Sequence, residues 1–181
     1  MFILGAGVVV FLLFCGQMLQ GEFAHLYVYL FSLCFGLIGF VDDYRKVRQH
    51  QNEGLTAKQK FLLQLLAAVV FLCLMRYEGM LSPNLYIPFW NTHIVLPWIV
   101  YLAFAAFVIV GTVNAVNITD GVDGLATGTS LPVMLFFVAV TFAWGQEFLE
   151  LGIFASGLLG GLMGFLVYNF NPAKVFMGDT G

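Results

Sequence analysis

Charge is scarce in this chain. Seven Lys or Arg and ten Asp or Glu make up 9% of its 181 residues, against about 25% in a soluble domain. That excludes an ordinary water-soluble globule. With 61% hydrophobic residues, the chain reads as a polytopic membrane protein. Cysteine is scarce as well. Cys15, Cys34 and Cys73 all fall inside apolar runs, as small buried residues do, which excludes a disulfide framework or a thiolate metal site. No basic patch is interleaved with aromatics, so nucleic acid is not an expected partner. None of the three histidines pairs with a Ser or Cys in a nucleophilic arrangement, and no heptad or low-complexity repeat occurs. The start lacks a basic stretch before its apolar run, so a cleavable signal peptide is not expected.

What is present is apolar sequence in lengths that fit a bilayer. A hydrocarbon core of about 30 Å needs roughly 20 mostly apolar residues per helix. Six segments meet or approach this: 2–19, 23–41, 60–76, 96–114, 130–146 and 149–168. Gly157, Gly160, Gly161 and Gly164 form two small-xxx-small pairs on the last span, a pattern for close helix packing. Six alternating spans put residues 42–60, 115–129 and 169–181 on one side. Arg45, Lys46, Arg48, Lys58, Lys60 and Lys174 lie there, six of the seven basic residues, and only Arg76 lies opposite. The positive-inside rule makes that side cytoplasmic. All the aspartates (42, 43, 120, 123 and 179) fall on the same side, while Glu22, Glu78, Glu147 and Glu150 fall on the other. On the outer side, β-prone residues flank an Asn-Thr turn signal at 85–95, which predicts a short hairpin on the membrane surface. Pro88 makes it an edge-type strand at best.

Three polar clusters can carry chemistry. Asp42 and Asp43 end the apolar run 26–41 and precede Arg45, Lys46 and Arg48. Neighbouring carboxylates repel, and a divalent cation such as Mg²⁺, which favours oxygen ligands, relieves that. Alone, the pair reads slightly better as a solvated helix end. In the second cluster Asn114, Asn117, Asp120 and Asp123 recur every third residue, with a glycine, Gly121 or Gly124, directly after each aspartate. Held in a helix, they would share one slowly drifting face able to read a nucleobase or ribose or hold an ion; the plain alternative is a turn rich in Asn, Asp and Gly. In the third, Asn171-Pro172 marks a turn and Gly178-Asp179-Thr180-Gly181 sets a carboxylate in a glycine-flanked loop suited to metal or phosphate. Phe176 can stack on a base or anchor at the interface. Lys58 and Lys174 can neutralise phosphate or simply carry the charge bias.

The combination Gly39-Phe40-Val41-Asp42-Asp43-Tyr44-Arg45-Lys46, Gly54-Leu55-Thr56-Ala57-Lys58-Gln59-Lys60-Phe61, 114–126 and 169–181 resembles the phospho-N-acetylmuramoyl-pentapeptide-transferases of the polyprenyl-phosphate N-acetylhexosamine-1-phosphate transferase superfamily. The resemblance implies transfer of phospho-N-acetylmuramoyl-pentapeptide from its UDP conjugate to undecaprenyl phosphate, with Mg²⁺ as cofactor and release of UMP, in the bacterial cytoplasmic membrane. It assigns Asp42, Asp43 and Asp179 to catalysis and metal binding. Asn117, Asp120 and Asp123 are assigned to the segment near the nucleotide, Asn169 and Phe176 to uridine contact, and Lys58 to a basic loop position. The bilayer and both substrates are the implied partners; a homodimer is allowed and not required. The resemblance implies an all-α polytopic membrane fold of about ten spans with a short periplasmic hairpin. Six spans here make the chain one transferase domain, 1–181, expected to be an internal piece with an incomplete cleft and to be inactive by itself. Transfer of N-acetylglucosamine-1-phosphate to the same lipid is the enzymatic alternative. A channel or transporter is the other, and would place its acidic groups at mid-membrane.

Overall fold

The computed structural model describes residues 2–19, 24–49, 54–87, 89–145 and 148–181. Its elements in chain order are α1 (Phe2–Leu13), α2 (Cys15–Leu19), α3 (Ala24–Gln49), α4 (Ala57–Tyr77), β1 (Asn84–Ile87), β2 (Thr92–Val95), α5 (Trp98–Thr119), α6 (Leu125–Trp144) and α7 (Leu149–Asn169). Among the described residues five helices, α3 to α7, are long and apolar enough to cross a membrane. The chain is an all-α multi-pass membrane protein with one small sheet. The first expected span is interrupted at Phe14 into helices of 12 and 5 residues, each below the roughly 20 residues a crossing needs. The spans leave much of their apolar surface uncovered. Ile99, Phe107 and Val167 are each more than 70% exposed, as side chains that face lipid would be.

Helix ends follow local chemistry. Thr56 caps α4 with a full capping box: its hydroxyl accepts the Gln59 N–H at 3.3 Å, and the Gln59 side chain accepts the Thr56 N–H at 3.2 Å. The α3 helix continues well past its apolar run, because Tyr44 to Gln49 are mostly good helix formers. Asp42 and Asp43 therefore lie inside α3 rather than at its end. The α7 helix stops at Asn169; Phe170 is already extended and Asn171-Pro172 follows.

The chain divides into two compact units. One comprises Met1–Ser32, Val116–Asp179 and Gly181. Within it α7 packs against α6 and α1, with Ala155, Leu162 and Phe165 of α7 buried. Helices α6 and α7 approach closely at Gly152, where an added Cβ would stand 2.6 Å from the Thr141 Oγ1. Gly161, in the small-residue pattern, is buried, while Gly160 has open space beside it. The other unit comprises Leu33–Ala115 and Thr180. Its core joins Ala68 and Leu72 of α4 to Ala106 and Val110 of α5, with Phe35, Leu65 and Leu102 against them. A polar tie crosses the same pair of helices: Asn114 Nδ2 donates to the buried Gln64 Oε1 at 2.7 Å. The expected hairpin forms antiparallel with Asn84 opposite Val95 and Ile87 opposite Thr92. Its turn uses Asn91 at φ 47°, a left-handed conformation that Asn tolerates, and Tyr86 donates its hydroxyl to the Asn91 side chain at 2.9 Å. Pro88 lies outside the described residues. Arg76 at the end of α4 sits 4.7 Å from the ring of Trp98 at the start of α5, a cation–π contact.

Candidate active site

In the unit that holds α4, the adjacent aspartates have different surroundings. Asp42 is 3% exposed. Its Oδ2 lies 2.6 Å from Lys46 Nζ, one helical turn on, and its Oδ1 accepts the Leu55 N–H at 2.6 Å. A buried carboxylate is costly unless paired and hydrogen-bonded, and each oxygen here has a strong donor. The loop reaches Asp42 only because residue 54 is glycine. A Cβ there would stand 2.5 Å from the Asp42 backbone oxygen and 2.6 Å from Oδ1. Asp43 has a side chain about one-third exposed. Its Oδ2 accepts both the hydroxyl and the N–H of Thr180, at 2.6 and 3.0 Å; its Oδ1 lies 3.7 Å from Lys46 Nζ. Lys58 is exposed on the first turn of α4.

In the unit that holds α6 and α7, the α5–α6 turn grips the segment after α7 through a run of side chains. Asp123 Oδ2 accepts the Ala173 N–H at 2.9 Å. Asp120 Oδ2 accepts the Gly178 N–H at 3.1 Å. Asn117 Nδ2 donates to Asp179 Oδ1 at 2.5 Å. As numbering falls from 123 to 117 it rises from 173 to 179, so the two stretches pair in opposite directions. Asn169 completes the grip from the end of α7. It has no exposed surface; its Oδ1 accepts the hydroxyl of the equally buried Thr127 at 2.9 Å, and its Nδ2 donates to the Val175 carbonyl at 2.9 Å. Phe176, the next residue, is exposed. Gly178 takes φ 68°, a conformation glycine adopts without penalty, and the Gly181 N–H returns to the Gly178 carbonyl at 3.3 Å. Asp179 and Thr180 are thus the two central residues of a tight turn.

Asp120 is a partly buried carboxylate. Burial pushes its carboxyl above the usual carboxylate range; the Gly178 and Met177 N–H groups pull the other way, and the charge of Asp179 pushes it up further. Its buried Oδ1 has no hydrogen-bond partner among the described residues.

The structure thus places Asn117, Asp120, Asp123, Asn169, Phe176 and Asp179 in one unit and Asp42, Asp43 and Lys58 in the other. Sequence reasoning gave no supporting role to Lys46, Gly54, the Leu55 N–H, Thr127 or Thr180, although Lys46, Gly54 and Thr180 lie in its motifs. Lys46 left a local signal, its place four residues after Asp42 on one helix, and so did Gly54, a glycine two residues before a helix N-cap.

The sequence pattern of glycosyl transferase family 4 matches residues 25–181, which include every candidate residue. The chain belongs to this family. Among curated relatives, it is 49% identical over 149 residues to the phospho-N-acetylmuramoyl-pentapeptide-transferase of Staphylococcus carnosus (strain TM300), covering 81% of this chain and 46% of that protein. The protein of the same name from Staphylococcus aureus (strain bovine RF122 / ET3-1) is 48% identical over 152 residues, 83% of this chain and 46% of its own length. That of Listeria innocua serovar 6a is 47% identical over 147 residues, 81% and 44% respectively. This glycosyl transferase family 4 chain thus spans about half the length of the curated relatives it matches.

Proposed function

We propose that the protein transfers phospho-N-acetylmuramoyl-pentapeptide from its UDP conjugate to undecaprenyl phosphate at the cytoplasmic face of a bacterial inner membrane. An oxygen of the lipid phosphate attacks the sugar-linked phosphorus, a new P–O bond forms, the bond to the uridine-bearing phosphate breaks, and UMP leaves. The observation that carries this reading is the 47–49% identity over about four-fifths of the chain to relatives of that name. The side-chain geometry supports it. Transfer between two anionic partners needs little covalent help from the protein and much positioning and charge compensation, and a loop fixed by Asn117, Asp120, Asp123 and Asn169 supplies positioning. The Lys and Arg bias toward the α3–α4 connection and the segment after α7 supports the cytoplasmic assignment.

Mg²⁺ fits the donor set. The candidates are carboxylate oxygens, which a hard cation prefers, and Asp120 and Asp179 crowd like charge with one buried oxygen unpartnered. The family resemblance assigns the ion to Asp42, Asp43 and Asp179. When bound, it would neutralise charge on the transferring phosphate. Asn169 fixes the backbone beside Phe176, whose exposed ring is available to stack on uracil, and Lys58 is available to a phosphate.

The test is UMP release by the full-length protein in detergent, with UDP-N-acetylmuramoyl-pentapeptide and UDP-N-acetylglucosamine compared. Turnover of the first alone, abolished by Asp43→Asn and Asp179→Asn and dependent on added Mg²⁺, is expected. Preference for the second donor would reassign the substrate, and full activity in both variants would end the enzymatic reading of these residues.

A further inference from the structure

Asp43 is the more accessible of the adjacent carboxylates, and what fixes it comes from far along the chain. Thr180 gives Asp43 Oδ2 two hydrogen bonds, a hydroxyl at 2.6 Å and a peptide N–H at 3.0 Å. Both are charge-assisted, which makes them about twice as strong as neutral ones. The donors belong to a residue 137 positions away. A pair of bonds on one oxygen fixes the torsion of the carboxylate as well as its place. It leaves Oδ1 as the oxygen that Thr180 does not occupy. Lys46, at 3.7 Å from Oδ1 and 2.6 Å from Asp42 Oδ2, cannot do this alone, because a flexible ammonium makes a point contact without directional preference.

We propose that Thr180 is a positioning residue for the transfer reaction, its hydroxyl and N–H together orienting the Asp43 carboxylate so that Oδ1 is presented to the reacting groups. The inference rests on the proposed function, in which Asp43 acts on cation or phosphate. It assigns Thr180 no contact with substrate. The hydroxyl is what residue 180 must supply; its methyl group is not required.

Three variants of the full-length protein test this. Thr180→Val keeps shape and the N–H but deletes the hydroxyl, Thr180→Ser keeps the hydroxyl, and Asp43→Asn tests the underlying assignment. In Thr180→Val, kcat for UMP release should fall about tenfold or more, the scale of one charge-assisted hydrogen bond, with KM for the UDP substrate little changed. Thr180→Ser should recover most of that loss. A second readout needs neither turnover nor metal: labelling of Asp43 by a hydrophobic carbodiimide, followed by peptide mass spectrometry. It should rise several-fold in Thr180→Val and return toward wild type in Thr180→Ser, with labelling of Asp123 unchanged. Wild-type kcat in Thr180→Val, or a loss in Thr180→Ser as deep as in Thr180→Val, would overturn the proposal. So would labelling that rises equally at Asp43 and Asp123, since that would report general loosening. If Asp43→Asn is inactive while Thr180→Val is fully active, this inference alone fails; if Asp43→Asn is itself fully active, the functional reading beneath it fails too.

Discussion

Gly54→Ala should damage Asp42 while leaving that residue in the sequence. The new Cβ would meet the Asp42 backbone oxygen at 2.5 Å, its Oδ1 at 2.6 Å and its Cγ at 2.9 Å, where ordinary contact begins near 3.4 Å. The main-chain oxygen sits in the middle of α3 and cannot swing aside as a side-chain tip can. The loop must therefore retreat by about 1 Å, which stretches the 2.6 Å bond from Leu55 N–H to Oδ1 beyond hydrogen-bonding range. Two costs follow. Forcing a methyl group into occupied space costs about 1–3 kcal/mol. Removing one donor from a buried carboxylate costs about 1.5–3 kcal/mol. Partial relaxation lets these overlap, so about 3 kcal/mol is expected. If all of it entered the activation barrier, turnover would fall about a hundredfold. The measurement is UMP release by full-length Gly54→Ala protein beside its thermal unfolding in detergent. Gly54→Ser should be at least as impaired, because the same Cβ is present. Activity above half of wild type with an unchanged melting temperature would refute the reasoning, since the loop would then have retreated at no cost to Asp42.

Other expectations follow from contacts described above. Asn169→Leu should destabilise the protein by about 2–4 kcal/mol, since it strips partners from the Thr127 hydroxyl and the Val175 carbonyl in a fully buried place; thermal unfolding reads the loss, and a melting temperature within error of wild type would contradict it. Gln64→Leu should cost about 1–2 kcal/mol because it removes one of the two acceptors of the Asn114 amide and leaves only the Val110 carbonyl, while Gln64→Leu with Asn114→Leu should restore most of that stability; a double variant worse than the single one would show that the pair does more than satisfy itself. Gly152→Ala should cost about 1–3 kcal/mol by overpacking the α6–α7 crossing, and adding Thr141→Ala should relieve it, visible as non-additivity in a double-variant cycle on melting temperature. Strict additivity would remove the close approach as the cause.

How far the sequence could be read depended on what each feature owed to distant partners. Spans α3 to α7 were legible because length and apolarity are local properties, and the hairpin was legible from its β-prone residues and Asn-Thr turn signal. Where α3 ends was not. Hydropathy marks where apolar sequence stops, whereas the helix runs on through Tyr44 to Gln49 because backbone hydrogen bonding is indifferent to side-chain polarity. The polar recurrence at 114, 117, 120 and 123 drew attention to those residues, but their partners at 173, 178 and 179 could not be paired from spacing. Asn169 illustrates the limit. Sequence resemblance marks it for uridine contact, while its burial and its bonds to Thr127 and Val175 depend on three segments meeting. Thr180 stood in its motif beside Asp179 without a partner at 43 for the same reason.

The grip of the α5–α6 turn on the segment after α7 has a consequence for how the protein is made. The paired groups are separated by 50, 58 and 62 residues, with the whole of α6 and α7 between them. Contacts of such long sequence separation close late. The turn is synthesised first and its carboxylates wait, without their partners, until two further helices have entered the bilayer. Residues 173–179 are then the last of this region to find their places. Faulty insertion of α6, which carries Pro132 in its interior, would therefore leave the loop unlatched, and an assay would read that biogenesis defect as a catalytic one.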